Sequence, residues 1–484
     1  MPNLKTNHKH QSTAKDLTEN MAYFIEVVLG NPIIRKVLRF CTSQCENCGR
    51  RFDLCLKKYM GYRVKLCSKC KIAYFIVKNI FDYILNQVNI PREDVETSLK
   101  DPMWRRGLSS VLEGIAKYGP TKPFIAYSPF LVVWNVTKIC NLRCKHCYAI
   151  AGVPPVDELN KKEALMAVDK MSNSGVAYIA LSGGEPLMRK DFWNIVNRIK
   201  KNEMAFSIAT NGTLLTKRTA KKLKDWDCLY VQVSLDGAKP TTHNRFRGAN
   251  AFKRTIQGIK NAVDAKICVG IATTVTKINY KEVAQIINLA ENLGAEIFMH
   301  YNFIPVGRGK EIAQLDISPE EREKLLNMLA SQIGKRKISL LSTAPQYGRV
   351  CTQFSAFSLT HFDNISQMKE YKNSVNFLGE FVGGCGTGRL YCALDYNGDI
   401  TPCVFIPIKL GNIKKDDFLD IWHNSQVFNQ IRNRNKFKGA CGTCKYKNIC
   451  GGCRARAYGY HHDITKSDPG CVFNKKEWIK IIAK

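Results

Sequence analysis

The sequence predicts an α/β fold whose centre is a partly closed barrel of parallel strands, a partial (β/α)6 barrel of the TIM type. Six short apolar runs lie between residues 130 and 305 with helical patterns between them: FLVVWNVT, YIALS, FSIAT, LYVQVS, ICVGIATT and IFMHY. Strands that alternate with helices of about 10–15 residues are typical of βαβ units and a parallel sheet. Cysteines bunch before, within and after this series. We therefore expect a helical, metal-binding N-terminal extension, the barrel, and a cysteine-rich C-terminal domain.

Length and composition limit the class of protein. A chain of 484 residues is too long for one compact core, since domains hold about 150 residues. Hydrophobic residues make up 45% and charged residues 24% of the chain, which excludes a disordered or fibrous protein. The formal net charge of +32 predicts an anionic partner. Twenty bunched cysteines favour metal thiolates in a reducing cytoplasm over a disulfide scaffold.

The cysteine groups divide the chain into segments. We expect an extension over 1–127, the barrel over 128–335, a connecting segment over 336–380 and an iron–sulfur domain over 381–484. Cys228, Cys268 and Cys351 fall outside the groups and are expected to be buried small hydrophobes. No apolar run reaches about 18 residues and the first 15 residues lack an apolar signal core. The expected location is therefore cytoplasmic, at most peripheral on the inner face of the membrane.

The extension carries two cysteine pairs with the spacing of a metal knuckle. Cys45 and Cys48 form one C-x2-C pair, Cys67 and Cys70 form the other, and 18 residues separate them. This is the spacing of a tetrahedral zinc ribbon or of a rubredoxin-like iron site. The pattern therefore predicts one mononuclear metal and leaves open whether it is iron or zinc.

Two amphipathic segments flank the knuckle, NPIIRKVLRFC and KIAYFIVKNIFDYILNQV. Residues 31–75 hold 11 Lys and Arg against two acidic residues, a net charge of +9. Such helices either pack on the barrel or lie on an anionic membrane surface. A nucleic-acid-binding role for the basic knuckle is a further alternative, which an intact catalytic core would disfavour.

The chemistry is expected directly after the first two strands, because active sites of such barrels lie at the C-terminal ends of the strands. Cys140, Cys144 and Cys147 form a C-x3-C-x2-C loop after the first strand. Three thiolates hold three irons of a 4Fe-4S cluster and leave the fourth iron open for a small molecule. After the second strand lies the run SGGEP, whose paired glycines allow the backbone to approach a ligand closely.

On these residues the chain resembles the radical S-adenosylmethionine (SAM) superfamily over residues 128–310. The runs CNLRCKHCY, SGGEP, TNG, VQVSLDG and PVGRG occur in the order and at the spacing of that family. The resemblance implies that Cys140, Cys144 and Cys147 bind the cluster and that the open iron takes the amine and carboxylate of SAM. It also implies a low-potential, ferredoxin-like electron donor. Reductive cleavage of SAM would then give a 5′-deoxyadenosyl radical that abstracts hydrogen from an unactivated C–H bond.

The same resemblance implies further SAM contacts. The backbone and carboxylate of the SGGEP run would hold the SAM amino group, two polar residues would contact its carboxylate or ribose, and one turn would lie beside the adenine. Gly183, Gly184 and Glu185 would hold the amino group. Ser234 and Arg247 would contact the carboxylate or ribose. Val306 and Gly307 form the turn beside the adenine.

The C-terminal cysteines supply two complete sets of four thiolates. Their pattern is C-x6-C-x10-C, then C-x2-C-x5-C-x2-C, then a last cysteine, and two zinc sites are the alternative to iron–sulfur clusters. This stretch is similar to the SPASM extension of radical SAM enzymes, which holds two auxiliary 4Fe-4S clusters. The resemblance implies two ligand sets, the first Cys385, Cys392, Cys403 and Cys453, and the second Cys441, Cys444, Cys450 and Cys471.

Three substrates fit these features. In overall design the chain resembles the archaeal enzymes that join isoprenoid lipid chains, and the expected function is carbon–carbon bond formation on an anionic membrane lipid that docks on the basic helices. The closing run CGGCRARAYGYHHDITKSDPGC resembles the tetrapyrrole side-chain enzymes of alternative haem synthesis, so decarboxylation or trimming of a haem precursor is an alternative. Modification of a ribosomal peptide, common among SPASM proteins, is the third. Val404 replaces the acidic base of sulfatase-maturating enzymes, which disfavours that chemistry.

Overall fold

The computed structural model describes residues 24–88, 91–354, 357–358, 364–365 and 379–482. The start of the predicted extension and part of the predicted connecting segment lie outside these ranges. Within the extension, Asn31 caps the first helix by accepting hydrogen bonds from the backbone of Ile33 and Ile34, and Pro32 occupies the first helical position. The elements are α1 Pro32–Thr42, β1 Gln44–Cys45, β2 Gly49–Arg50, α2 Arg51–Tyr59, α3 Ser68–Val88, α4 Arg92–Lys100 and α5 Pro102–Tyr118.

The six predicted strands form consecutive parallel strands of one sheet, which confirms the α/β barrel. They are β3 Leu131–Thr137, β4 Tyr178–Gly183, β5 Ala205–Thr210, β6 Val231–Ser234, β7 Val269–Val275 and β8 Ile297–Asn302. The helices that connect them are α6 Lys161–Asn173, α7 Phe192–Lys201, α8 Lys217–Asp225, α9 Pro240–Arg247, α10 Ala251–Asp264 and α11 Val283–Asn292. Capping boxes begin two helices of this region, at Asn160 for α6 and at Ser318 for the helix after β8.

The sheet extends beyond these six strands at both edges. After α12 Pro319–Ser331, strand β9 Ser339–Ser342 pairs in parallel with β8, and α13 Gln346–Gln353 follows. A separate antiparallel pair, β10 Phe357–Ser358 and β11 Asn364–Ile365, comes next. At the other edge, the C-terminal region adds β12 Tyr391–Leu394 in parallel beside β3, and then the antiparallel strands β13 Asp399–Thr401 and β14 Gly411–Asn412. The C-terminal region is thus joined to the barrel by backbone hydrogen bonds.

Short helices and loops complete the C-terminal region. The helices are α14 Phe418–Asn424, α15 Gln426–Arg432, α16 Ala440–Thr443, α17 Arg454–His461 and α18 Lys475–Ile482. The largest core lies between the sheet and the helices, and it runs from Val132 and Trp134 in β3 to Trp422 and Phe428 in α14 and α15. Such burial of apolar side chains is the main stabilising contribution to a fold of this kind.

The extension packs on the end of the barrel where the strands begin. Arg106 donates hydrogen bonds to the carbonyl groups of Ser172 and Val176, just before β4, and Arg105 forms an ion pair of 3.1 Å with Glu203, just before β5. The cysteine loop after β3 lies at the opposite end.

Within the described part of the chain, no helix combines the length and the hydropathy needed to cross a membrane. α3 has the length of a spanning helix, but one of its faces is buried against the protein and the other is exposed. Ala73 and Val77 pack on Phe52 of α2, whereas Ile72 and Phe75 point outward.

Candidate active site and metal centres

The three-cysteine loop begins where β3 ends and is held from several sides. The Cys140 sulfur accepts the backbone N–H of Leu142 at 3.4 Å, and Arg308 donates from Nε to the Cys144 carbonyl at 2.9 Å and from its backbone to the Cys147 carbonyl at 3.0 Å. Burial raises the pKa of Cys140 to about 11, and a bound iron would displace that proton. The loop therefore places three thiols near enough for their charges to act on one another at the C-terminal ends of the strands, which fits a three-thiolate cluster.

The paired glycines after β4 allow that strand to approach the cysteine loop. The backbone N–H of Gly184 donates to the Thr137 carbonyl at 2.7 Å, and that of Glu185 donates to the Ile139 carbonyl at 2.8 Å. A Cβ atom at position 184 would lie 2.2 Å from the Ile139 oxygen, and one at position 183 would lie 2.4 Å from the Thr137 oxygen. Glycine is required here because the two backbones touch, so the glycine pair sets the position of the loop.

The Glu185 side chain links the ends of two neighbouring strands. Its carboxylate is fully buried and accepts hydrogen bonds from Thr210 Oγ1 at 2.8 Å and 2.9 Å, from the Asn211 backbone at 2.9 Å and from the Leu187 backbone at 3.3 Å. Burial raises the pKa of Glu185 to about 7. The carboxylate therefore links the ends of β4 and β5, and its expected contact with the SAM amino group stays a prediction.

Arg247 lies beside the cluster loop, in a buried set of charges. Its Nε contacts Asp236 Oδ2 at 2.6 Å, its NH1 lies 3.8 Å from the Cys144 sulfur, and His146 Nε2 lies 3.3 Å from the same Asp236 oxygen. Ser234 ends β6 two residues before Asp236 and is half-buried. The sequence motifs contained Asp236 and His146, but their contacts depend on the folded loop.

The turn expected beside the adenine packs directly on the cysteine loop. Val306 is buried, and Gly307 has a φ of 56°, in the left-handed region that favours glycine. A Cβ at Gly307 would lie 2.5 Å from the carbonyl oxygens of Cys147 and Tyr148. This contact brings the end of β8 next to the cluster loop.

Hydroxyl and amide groups line the inside of the barrel below this loop. The Tyr148 hydroxyl donates to Asn135 Oδ1 at 2.9 Å and lies 3.2 Å from Ser182 Oγ, and the Tyr301 hydroxyl donates to Gln232 Oε1 at 3.2 Å. Tyr148 follows the expected cluster ligand Cys147 in the sequence, whereas no motif singled out the others. These residues could have been found from the strand pattern, because positions that face the inside of the barrel alternate with positions that face the core.

The second C-terminal cysteine set encloses one cavity. Its four cysteines line the cavity together with Arg349. Three of the sulfurs accept hydrogen bonds from backbone N–H groups. The donors are Tyr446 at 3.4 Å, Gly452 at 3.3 Å and Asp468 at 3.4 Å. Such donors stabilise metal-bound thiolates, so this set fits a cluster. Its members are Cys441, Cys444, Cys450 and Cys471.

The first C-terminal set is incomplete in the structure. Cys403 and Cys453 pack in one apolar cluster, and Cys385 lies close enough for its charge to raise the pKa of both, in addition to burial. Cys392 does not join them. It lies in the main core beside Arg432, so the expectation that it completes this set is not met by the geometry.

The N-terminal cysteines form a compact site. The sulfurs of Cys45, Cys48, Cys67 and Cys70 all lie within 4.8 Å of one another, and those of Cys45 and Cys67 are 3.7 Å apart. A tetrahedral metal with bonds of about 2.3 Å to sulfur sets its ligands about 3.8 Å apart. Backbone N–H groups, that of Asn47 first, lower the pKa of Cys45 to about 6. The four cysteines could therefore hold one metal ion.

Comparisons with known proteins agree with this description. A family model described as the radical SAM superfamily matches residues 134–290, and one described as an iron–sulfur cluster-binding domain, SPASM, matches residues 385–453. The AdoMet-dependent heme synthase of Methanosarcina barkeri is 35% identical over 72% of this chain and 97% of its own length. The mycofactocin maturase MftC of Mycobacterium tuberculosis is 29% identical over 72% of this chain and 84% of its own.

Among solved structures, SuiB of Streptococcus suis bound to S-adenosylmethionine superposes with a TM-score of 0.62, covering 87% of this chain and 93% of its own at 17% identity. This likeness concerns the fold. SAM and 4Fe-4S clusters are typical of the matched families, and the predicted class of enzyme is confirmed. Lipid biosynthesis and membrane association find no support in these matches. The chain belongs to the radical SAM superfamily and carries a C-terminal SPASM domain.

Proposed function

We propose that this enzyme removes carboxyl groups from the propionate side chains of an iron tetrapyrrole. The observation that carries the proposal is the match to the AdoMet-dependent heme synthase of Methanosarcina barkeri, which spans 97% of that protein at 35% identity. A match of this extent favours the tetrapyrrole alternative over the joining of isoprenoid chains. The net charge of +32 is compatible with an anionic substrate of this kind.

The chemistry requires the removal of one hydrogen atom and one electron from each side chain. A propionate –CH2–CH2–COO⁻ that loses a hydrogen atom at the carbon next to the ring, and then one electron, gives –CH=CH2 and carbon dioxide. When bound, SAM and the clusters would supply the hydrogen abstraction and accept the electron. The protein's own part is to hold the reacting carbon beside the cysteine loop and to exclude water.

The residues around the reaction space suit that part. In the proposal Cys140, Cys144 and Cys147 hold the SAM-binding cluster, with Arg247 and Ser234 at the SAM site. Val404, after Cys403, packs against an apolar cluster and supplies no base. A mechanism that abstracts a hydrogen atom and then releases carbon dioxide requires no proton acceptor at that position. The electron donor is proposed to be a low-potential, ferredoxin-like protein.

The test is an anaerobic incubation of the reconstituted enzyme with SAM, dithionite and an iron tetrapyrrole that carries propionate groups. The expected product has lost carbon dioxide and two hydrogens per converted side chain in its protonated form, with 5′-deoxyadenosine formed in proportion. The variant with Cys140, Cys144 and Cys147 all replaced by Ala is the control and should give neither. Formation of 5′-deoxyadenosine without any change in the tetrapyrrole would refute the substrate and favour a peptide substrate, as the MftC match would suggest.

For the extension, we propose that α3 docks on an anionic membrane surface, independently of the substrate. One face of α3 is apolar and exposed, with Ile72 at 57%, Phe75 at 68% and Tyr83 at 61% of their full exposure. Exposed basic side chains surround the start of the helix, namely Arg63, Lys65, Lys69 and Lys71. An exposed apolar face with a basic border is the arrangement that binds anionic lipid headgroups.

Vesicle sedimentation tests this docking. The protein should sediment with phosphatidylglycerol vesicles and not with phosphatidylcholine vesicles, and the double substitution Ile72→Glu and Phe75→Glu should reduce binding at least tenfold. Val156→Glu, at a fully exposed site elsewhere, is the matched control. Absence of sedimentation with the anionic vesicles, or equal binding by the double variant, would contradict the proposal.

A further inference from the structure

The first auxiliary cysteine group brings together three thiols and one phenol. Cys403 and Cys453 pack in the same cluster of side chains, and Cys385 is near both. The Tyr391 hydroxyl donates to the Cys403 sulfur at 3.4 Å. The backbone of Cys385 donates to the Cys450 carbonyl at 3.2 Å, which fixes this group beside the second one.

Cys392 is kept away from this group by the alternation of a β-strand. It is the second residue of β12 and pairs in register with Val132 of β3, whose side chain lies in the main core. Tyr391, the residue before it, packs on the other side with Cys403. Successive side chains of a strand point to opposite faces, so only one of these two can face the cysteine group.

Moving Cys392 to the other face would require a one-residue shift of β12. That strand is bonded to β3 on one side and to β13 on the other. A shift would turn Cys392 and Leu394, both at most 1% exposed, out of the core. Register is strongly specified where one face of a strand is buried, so the shift is disfavoured.

We infer that the first auxiliary group holds its cluster through three thiolates, those of Cys385, Cys403 and Cys453, and that the fourth iron has an exchangeable position beside Tyr391. Cys392 is a core residue. The inference is independent of the proposed tetrapyrrole substrate, because it concerns only how this chain's residues meet a cluster.

The position of the group gives this iron access to the reaction space. Cys403 and Cys453 belong to the same apolar cluster as Ile304 and Val306, which follow β8, and Tyr148 packs on that cluster. Tyr148 also stacks edge-to-face on Phe405, with ring centroids 4.8 Å apart. The first auxiliary group therefore lies at the same end of the barrel as the three-cysteine loop. The exchangeable position would accept a small anionic ligand from that space.

Iron and sulfide analysis of reconstituted full-length variants tests the ligand set. Cys392→Val keeps a small apolar side chain in the core but cannot bind iron, and Cys351→Val, at another fully buried cysteine, is the matched control. We expect both to keep the iron and acid-labile sulfide content of the unaltered protein. Cys403→Ala should lose about four irons per chain. Loss of about four irons from Cys392→Val, but not from Cys351→Val, would overturn the inference.

A ligand titration tests the open position without reference to activity. In the variant with Ala at 140, 144 and 147 the SAM-binding cluster is absent, so two auxiliary signals remain in the electron paramagnetic resonance spectrum of the reduced protein. Added cyanide should shift one of them and leave the other unchanged. Cyanide that shifts neither signal would overturn the exchangeable position. A shift that appears only after Tyr391→Phe would also overturn it, because the phenolate would then be the fourth ligand.

Discussion

A buried network of charges joins the barrel to the C-terminal region. Asp316 contacts Arg322 NH2 at 2.6 Å, Arg456 NH1 at 2.7 Å and the Tyr460 hydroxyl at 2.7 Å, and Arg456 Nε contacts Asp468 at 3.1 Å. These four charged side chains are at most 1% exposed, and two positive charges balance two negative ones. Removing a single charged member therefore leaves a net charge in the network.

Asp316→Asn removes one negative charge and leaves two buried guanidinium groups against one carboxylate. Breaking a buried pair in this way costs about 3–5 kcal/mol, which lowers the folding equilibrium constant by a factor of roughly 200 to 5,000. The assay is urea unfolding of the reconstituted protein, followed by fluorescence. Trp478 is a suitable reporter, because its ring lies 6.0 Å from that of Tyr460.

Two controls decide whether burial and charge balance are the cause. Asp225→Asn breaks an exposed pair with Lys221 and should cost less than about 1 kcal/mol. The double variant Asp316→Asn with Arg322→Met restores neutrality, so its cost should fall short of the sum of the single costs by about 1–3 kcal/mol. A cost for Asp316→Asn equal to that of Asp225→Asn would refute the reasoning. Single costs that add within about 0.5 kcal/mol would refute the charge balance.

Two further predictions concern the cluster loop and the knuckle. Gly184→Ala should displace the loop and remove about four irons per chain while the protein stays folded. Gly270→Ala, whose added carbon meets nothing closer than 3.5 Å, should keep these irons. Equal iron content in the two variants would contradict the steric argument. Cys67→Ser should lose the single knuckle metal and keep the cluster iron. Elemental analysis measures this, with Cys55→Ala as the control variant. Retention of the knuckle metal in Cys67→Ser would exclude the site. Because metal binding displaces thiol protons, the knuckle metal should also be released as the pH falls.

Much of the barrel could be predicted because its signals are local. Each of the six strand runs is apolar and short, and helical patterns separate them, so the alternation indicates a parallel sheet without knowledge of distant contacts. The cysteine loop after β3 and the knuckle pairs were identified for the same reason, since their ligands lie within a few residues of one another. The structure adds strands at both edges of the barrel, and those short runs carried no comparable pattern.

The side chains whose surroundings could not be predicted are those whose partners lie far along the chain. The resemblance placed Glu185 at the SAM amino group, and only the fold shows that its carboxylate accepts hydrogen bonds from Thr210 and Asn211 at the end of the next strand. The resemblance to the SPASM extension counted Cys392 as a ligand, and the pairing of β12 with β3 turns its side chain into the core.

The sequence by itself determined the chemistry of this protein, because it depends on local patterns of particular residue types. These are three cysteines on one loop after a strand, a glycine pair after the next strand and the two cysteine pairs of the knuckle. Only the tertiary structure decided on which face of its strand Cys392 lies and which end of the barrel the extension covers. These depend on strand register and on packing between distant segments. A strand turns alternate residues to opposite faces, and a count of residues between cysteines does not contain that information.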